Sequence, residues 1–208
     1  MAGHIKKTPA SSTNVLEQTL EGQLLIAMPT INDPHFQRSV VYMCAHSSDG
    51  AMGLVINQRA RDITFPVLLE QLKITKSAIP ADLPDEISQW PVYLGGPVEK
   101  SRGFVLHTSD YHEEDLTLAI GDSIGLTATL EILEKILAGS GPRKSRLALG
   151  YSGWSPGQLE NEILANGWLH CPADLPLVFD TAPEDIYRTA LAKIGIDPSH
   201  LSTDAGHA

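Results

Sequence analysis

Cys44 and His46 stand two positions apart at the end of the run Val40-Val41-Tyr42-Met43-Cys44-Ala45-His46. Side chains alternate between faces along an extended strand, so this spacing predicts that thiol and imidazole project from the same face. An imidazole beside a thiol can lower its pKa and hold a thiolate ready to attack, which makes Cys44 and His46 the candidate catalytic residues. The competing expectation is that Cys44, closing a strongly apolar run, is a small core residue. Cys171, preceded by Trp168-Leu169-His170 and followed by Pro172, is the lesser candidate.

A second chemistry is anion binding. Gly95-Gly96-Pro97 follows a short apolar run, and paired glycines can offer bare backbone amides to an anion. The turn lacks the Lys and Ser/Thr of a phosphate loop, and a glycine pair also suits a tight turn where two backbones approach closely. Arg38 and Arg102 are the expected guanidinium partners for such an anion. The polar turn Asp33-Pro34-His35-Phe36-Gln37-Arg38 places an acid, an imidazole and a guanidinium between two apolar runs, where function tends to concentrate. Its alternative role is structural, with Asp33 accepting bonds from nearby backbone amides. With Asn57 at the end of the run 53–57, the candidate ligand-binding set is Asp33, Arg38, Asn57, Gly95, Gly96 and Arg102.

Other chemistries find less support. Gly150-Tyr151-Ser152-Gly153-Trp154 lacks the glycine two residues after serine that a hydrolase elbow requires. His107 and His112 are five apart and His4 and His207 lie near the chain's ends, so no metal-ligand spacing is present. No metal and no cofactor is expected. Fifteen basic against twenty-five acidic residues give a net charge of -10, the wrong sign for holding nucleic-acid phosphates, so direct DNA binding is disfavoured. The short cluster Arg143, Lys144 and Arg146 reads as a solvated loop. Every apolar stretch is interrupted well short of a membrane span, the N-terminus has no apolar signal core, and two cysteines are too few for a disulfide framework. A cytoplasmic protein without a membrane partner is expected.

The elements that must position these residues follow from punctuation and periodicity. Short apolar runs at 23–28, 39–44, 53–57, 92–95, 104–107, 116–121 and 147–151 read as strands, and several are apolar at successive positions, as if covered on both faces. Ser47-Ser48-Asp49-Gly50 reads as a hairpin turn. Helices are expected from Thr64 to about Leu72, from about Ala128 to Ala138, from Ser155 to Asn166-Gly167, and from Thr181 to Gly195, the last two opened by capping boxes. In the last helix Ile186, Ala190, Leu191 and Ile194 face inward. Strands followed by irregularly interspersed helices argue for an α+β protein with a mixed sheet. Residues 1–14 and 199–208 read as polar tails around one compact domain over 15–198, with 79–84 as a connection between subdomains joined near 79–90.

Taken together, LLIAMP, DPHFQRSVVYMCAH, GAMGLVIN, VYLGGPV, RGFVLH, ALGYSGW, GQLENEI and NGWL, in order over about residues 22–179, resemble the AlgH/YqgE family of bacterial proteins. Ala45 departs from the many relatives with an acid between the Cys and His positions, which weakens any Cys-acid-His cooperation. The resemblance implies an α+β fold with a split sheet, part of it curled into a small barrel, surrounded by helices. It implies no established reaction, and a regulatory association with exopolysaccharide (alginate) production. The leading expectation is therefore a cytosolic regulatory or interaction protein that binds a small anionic ligand or a protein partner. The alternatives are a thiol-dependent or nucleotide-directed enzyme using Cys44 and His46, and a passive scaffold with an exposed apolar patch around Trp154 and Trp168.

Overall fold

Runs that are apolar at consecutive positions become strands buried on both faces, and they assemble into one mixed sheet. The computed structural model describes residues 19–72 and 84–201. The expected tail at 1–14 and the connection at 79–83 lie outside the described residues, as do residues 202–208. The strands are β1 (Gln23–Ala27), β2 (Val40–Ser47), β3 (Gly50–Val55), β4 (Val92–Leu94), β5 (Val98–Thr108), β6 (Thr117–Ile120), β7 (Ile124–Thr127), β8 (Ser145–Trp154) and β9 (Trp168–Pro172). They lie in the order β6-β7-β5-β8-β3-β2-β1-β9, with β4 also on β8. β4 and β8 form the parallel pair, and the other pairs are antiparallel.

The expected split in the sheet occurs within β8. Its residues 147–149 pair with β4 and β5, whereas 152–154 pair with β3. Gly150, between the two stretches, has φ 70, and a Cβ there would stand 2.7 Å from the carbonyl oxygens of Gly96 and Val98. Only glycine accepts both the left-handed backbone and that approach, so the strand turns there and the sheet curls into a half-barrel.

The helices are α1 (Phe65–Gln71), α2 (Asp85–Ser88), α3 (Leu130–Leu137), α4 (Gln158–Leu164) and α5 (Pro183–Lys193). Three apolar clusters result. One joins Leu24, Tyr42 and Leu54 to Ile186 and Leu191 of α5, a second packs α1 and α3 on Val105 and Leu147, and a third joins Val41 and Met43 to Trp154, Leu159 and Trp168.

Local details depart from the capping expectations. Gln158 accepts from the Ser155 backbone N–H at 3.0 Å, but the residue before α4 is Gly157 and Ser155 makes no cap bond. Thr181 donates to the Pro176 carbonyl instead of capping α5. The left-handed residue that ends α4 at the expected Asn166-Gly167 stop is Asn166, φ 57. At the start of the stretch expected as a C-terminal tail, Pro198–His200 forms a 3-10 turn capped by Asp197, and Leu201 packs on the first cluster.

Candidate functional site

Cys44 and His46 do not share a face. A β-bulge shifts the β2–β3 register between Met43 and Ala45, so the alternation that would align them is broken. Cys44 is fully buried in the first cluster, its thiol facing the Tyr42 carbonyl at 3.6 Å, and burial pushes its pKa far above the ordinary thiol value. His46 instead meets α4. Its Nδ1 accepts the Leu20 N–H at 3.0 Å, which leaves Nε2 to carry the proton and donate to Glu160 Oε1 at 2.8 Å. With both ring nitrogens engaged and the thiol buried, the expected Cys44–His46 pair is not assembled. Cys171 is buried as well, and burial raises its pKa.

The Gly95-Gly96 turn is a close backbone crossing. A Cβ on Gly95 would lie 2.2 Å from the Gly150 carbonyl oxygen, and one on Gly96 would lie 2.3 Å from the Tyr151 backbone. The Gly95 N–H donates to the Leu149 carbonyl, so that amide is not offered to a ligand. Nor do the two expected arginines gather there. Arg102 pairs with Glu99 at 3.1 Å and lies over the Phe104 ring in an open groove. Gly96 lines a separate slot of about 250 Å³ in which the cation is Lys100, bonded to His35 Nε2 at 3.2 Å. The nest of Gly95, Gly96, Arg38 and Arg102 is therefore not assembled.

Two of the remaining candidates do converge, and the third holds one of them in place. Asp33 and Arg38 line a cleft of about 430 Å³ between the β1–β2 loop and α5, with Met28, Ile31, Gln37 and Tyr187. The size lies within the range of small-molecule sites. Arg38 has φ 53, a left-handed backbone that costs a side-chain-bearing residue about 1–2 kcal/mol. Asn57 fixes it from both sides: its Nδ2 donates to the Arg38 carbonyl at 2.9 Å and its Oδ1 accepts the Val40 N–H at 2.8 Å. The guanidinium then lies over the Tyr187 ring at 5.0 Å, while the Tyr187 hydroxyl donates to the Ala27 carbonyl at 2.8 Å and locks the platform.

The charge balance in the cleft follows from the turn. Asp33 Oδ1 accepts the His35 N–H and sits 2.9 Å from His35 Nδ1. That backbone bond, with the imidazole and Lys100 nearby, holds the Asp33 carboxyl below the usual range, so it stays ionised yet turned toward His35. Among the described residues no carboxylate forms an ion pair with Arg38. Its guanidinium is a cation supported on one face and open at its edge, which is the arrangement that binds carboxylate or phosphate oxygens.

The AlgH-like family profile matches residues 24–199. The chain belongs to the AlgH-like family. A UPF0301 protein of Afipia carboxidovorans is 59% identical over 189 residues, covering 91% of this chain and 90% of the relative. A UPF0301 protein of Nitrobacter hamburgensis is 55% identical over 204 residues, covering 98% and 94%. The solution structure of the AlgH protein from Pseudomonas aeruginosa superposes with a TM-score of 0.73 at 40% identity, over 99% of this chain and 100% of that one. A crystal structure of a Corynebacterium diphtheriae protein, 21% identical with a TM-score of 0.63 over 89% and 90%, shares the fold.

One cleft residue of this AlgH-like chain, on α5, was not singled out from sequence. Tyr187 precedes Ala190, Leu191 and Ile194 by three, four and seven positions, so helical spacing put it on their face. Trp154 and Trp168 are buried instead of forming an exposed patch, and both indole N–H groups donate to Glu162 Oε2, at 2.9 and 2.8 Å. The scaffold reading loses its patch there. Arg146 is also buried, donating to the carbonyls of Val178, Ile56 and Thr181, while Arg143 pairs with Asp110 and Lys144 with Asp180. The expected solvated basic cluster is thus one internal pin and two ion pairs. Among the described residues, no helix is long and apolar enough to cross a membrane, and no three His, Cys, Asp or Glu side chains are grouped to hold a metal ion.

Proposed function

We propose that this AlgH-like chain is a cytosolic binding protein with a regulatory role, taking a small ligand with a carboxylate or phosphate group in the cleft between the β1–β2 loop and α5. The observation that carries the reading is the Arg38 guanidinium, stacked on Tyr187 and without an acidic partner among the described residues. A left-handed arginine is an unfavourable choice for a turn, and strained backbone kept in place by dedicated hydrogen bonds tends to mark a binding residue. The ligand's anionic end meets the Arg38 edge, and its apolar part lies on Met28, Ile31 and Tyr187.

The test is a titration of isotopically labelled protein with succinate, inorganic phosphate and adenosine monophosphate, following the Arg38 Nε–H signal. Saturable movement with at least one of them, abolished in Arg38→Ala, is the expected result. No movement with any of the three at millimolar concentration removes the reading.

A further inference from the structure

On the opposite side of the same loop lies a pocket of about 450 Å³ whose character is reversed. Asp33, Phe36, Trp154, Gln158, Glu162 and Trp168 line it, with no Lys, Arg or His among its walls. Phe36, Trp154 and Trp168 form an aromatic group with centroids 5.3 to 6.3 Å apart, and Glu162 anchors both indoles. Each carboxylate keeps an open acceptor. Among the described residues, Glu162 Oε1 accepts only the Gln158 amide, at 2.9 Å, and Asp33 Oδ2 accepts nothing.

We propose that this face docks a segment of a partner protein that presents an arginine or lysine side chain. The argument is charge complementarity combined with shape. Two carboxylates with open acceptors receive the cationic head, and the aromatic lining covers its methylene stem. Basic side chains carry both a stem and a head, which a bare metal ion or a simple amine lacks. This surface does not use Arg38, although Ile31, Asn32 and Asp33 line both sites.

The probe is acetyl-Leu-Arg-amide, titrated into the full chain while the indole Nε1–H signals are followed. Trp154 and Trp168 report on the pocket, and Trp90, packed against Phe65 elsewhere, is the internal control. The expected result is saturable movement of the first two signals, with affinity at least five-fold weaker in the surface variants Asp33→Asn and Gln158→Lys, both on the pocket wall, and unchanged in Arg38→Ala. Four outcomes overturn the proposal. They are no movement at millimolar probe, equal movement with acetyl-Leu-Glu-amide, the same signals shifting on protein dilution, which makes the occupant a second copy, or shifting when residues 1–18 are removed. That last segment contains Ile5-Lys6-Lys7 and would be an occupant from the chain itself.

Discussion

The side-chain amide of Asn57 donates to the carbonyl of Arg38 at 2.9 Å while its oxygen accepts the Val40 N–H, so one residue of β3's exit holds the whole left-handed corner that aims the cleft's arginine. Asn57→Ala removes both bonds and leaves a half-buried N–H without its acceptor. The expected loss is about 2–3 kcal/mol of stability, measured by urea denaturation, together with loss of the anion-dependent shift at Arg38. Asn57→Asp keeps the acceptor and loses the donor, and should fall between.

Arg38→Gly separates folding from binding. Glycine accepts φ 53 without the side-chain clash, so the variant is expected to unfold at the same or higher temperature while losing anion binding entirely. Arg38→Lys keeps the charge but not the planar fork on Tyr187, and affinity should drop several-fold. An Arg38→Gly protein that binds anions as well as the parent would show that Arg38 is a turn residue alone.

Strand runs, the hairpin at Ser48-Asp49 and the four longer helices were legible because apolar periodicity and Gly, Pro and Asn punctuation are local signals. What escaped was set by pairing between distant segments. The β2 bulge depends on β3, so the face of His46 could not be read from its spacing to Cys44. The crossing of Gly95-Gly96 with Gly150-Tyr151 needs two segments more than fifty residues apart, and the same glycines read equally well as a nest or as a contact. β7 and β9 were missed because they are short runs that only partners on β5, β6 and β1 complete. Asp33 and Arg38 were singled out together because a charged turn between apolar strands is itself the signal, while Tyr187 joins their cleft only once α5 is folded against that turn.

Thiol chemistry offers a direct check on the core. Cys44 and Cys171 are both buried with raised pKa, so a disulfide reagent is expected to label neither in the native protein faster than the chain unfolds. The labelling rate should rise with urea in step with the unfolding transition. Rapid native labelling of Cys44 would restore the nucleophile reading.

Arg146 is expected to be intolerant of conservative change. Its fork donates to three carbonyls at once, from Ile56, Val178 and Thr181, and its guanidinium lies 4.8 Å from the Tyr93 ring centroid. Lysine carries the same charge on a stem that cannot span three acceptors, so Arg146→Lys should cost about 2–4 kcal/mol. A melting curve indistinguishable from the parent's would show that those carbonyls find other donors.

His107 gives the fold a pH dependence with a definite sign. It is fully buried, lies 2.9 Å from the Thr108 carbonyl through Nδ1 and 3.0 Å from the Thr127 hydroxyl through Nε2, and Thr127 is in turn 2.9 Å from the Thr117 hydroxyl. The carbonyl can only accept, so Nδ1 carries the proton and Nε2 accepts from Thr127. Protonating Nε2 would turn the Thr127 hydroxyl round to donate to Thr117 and place a charge in the core, and burial, the largest cause, lowers the folded pKa below the ordinary 6.5. The unfolded chain therefore binds this proton more readily than the folded one. Its contribution to stability is complete above pH 6.5 and is lost as the pH falls from there through the lowered folded value. The expected measurement is a melting temperature that declines below pH 6.5 in the parent and declines less steeply over the same interval in His107→Gln. Equal slopes in the two proteins would assign the acid sensitivity to the carboxylates instead.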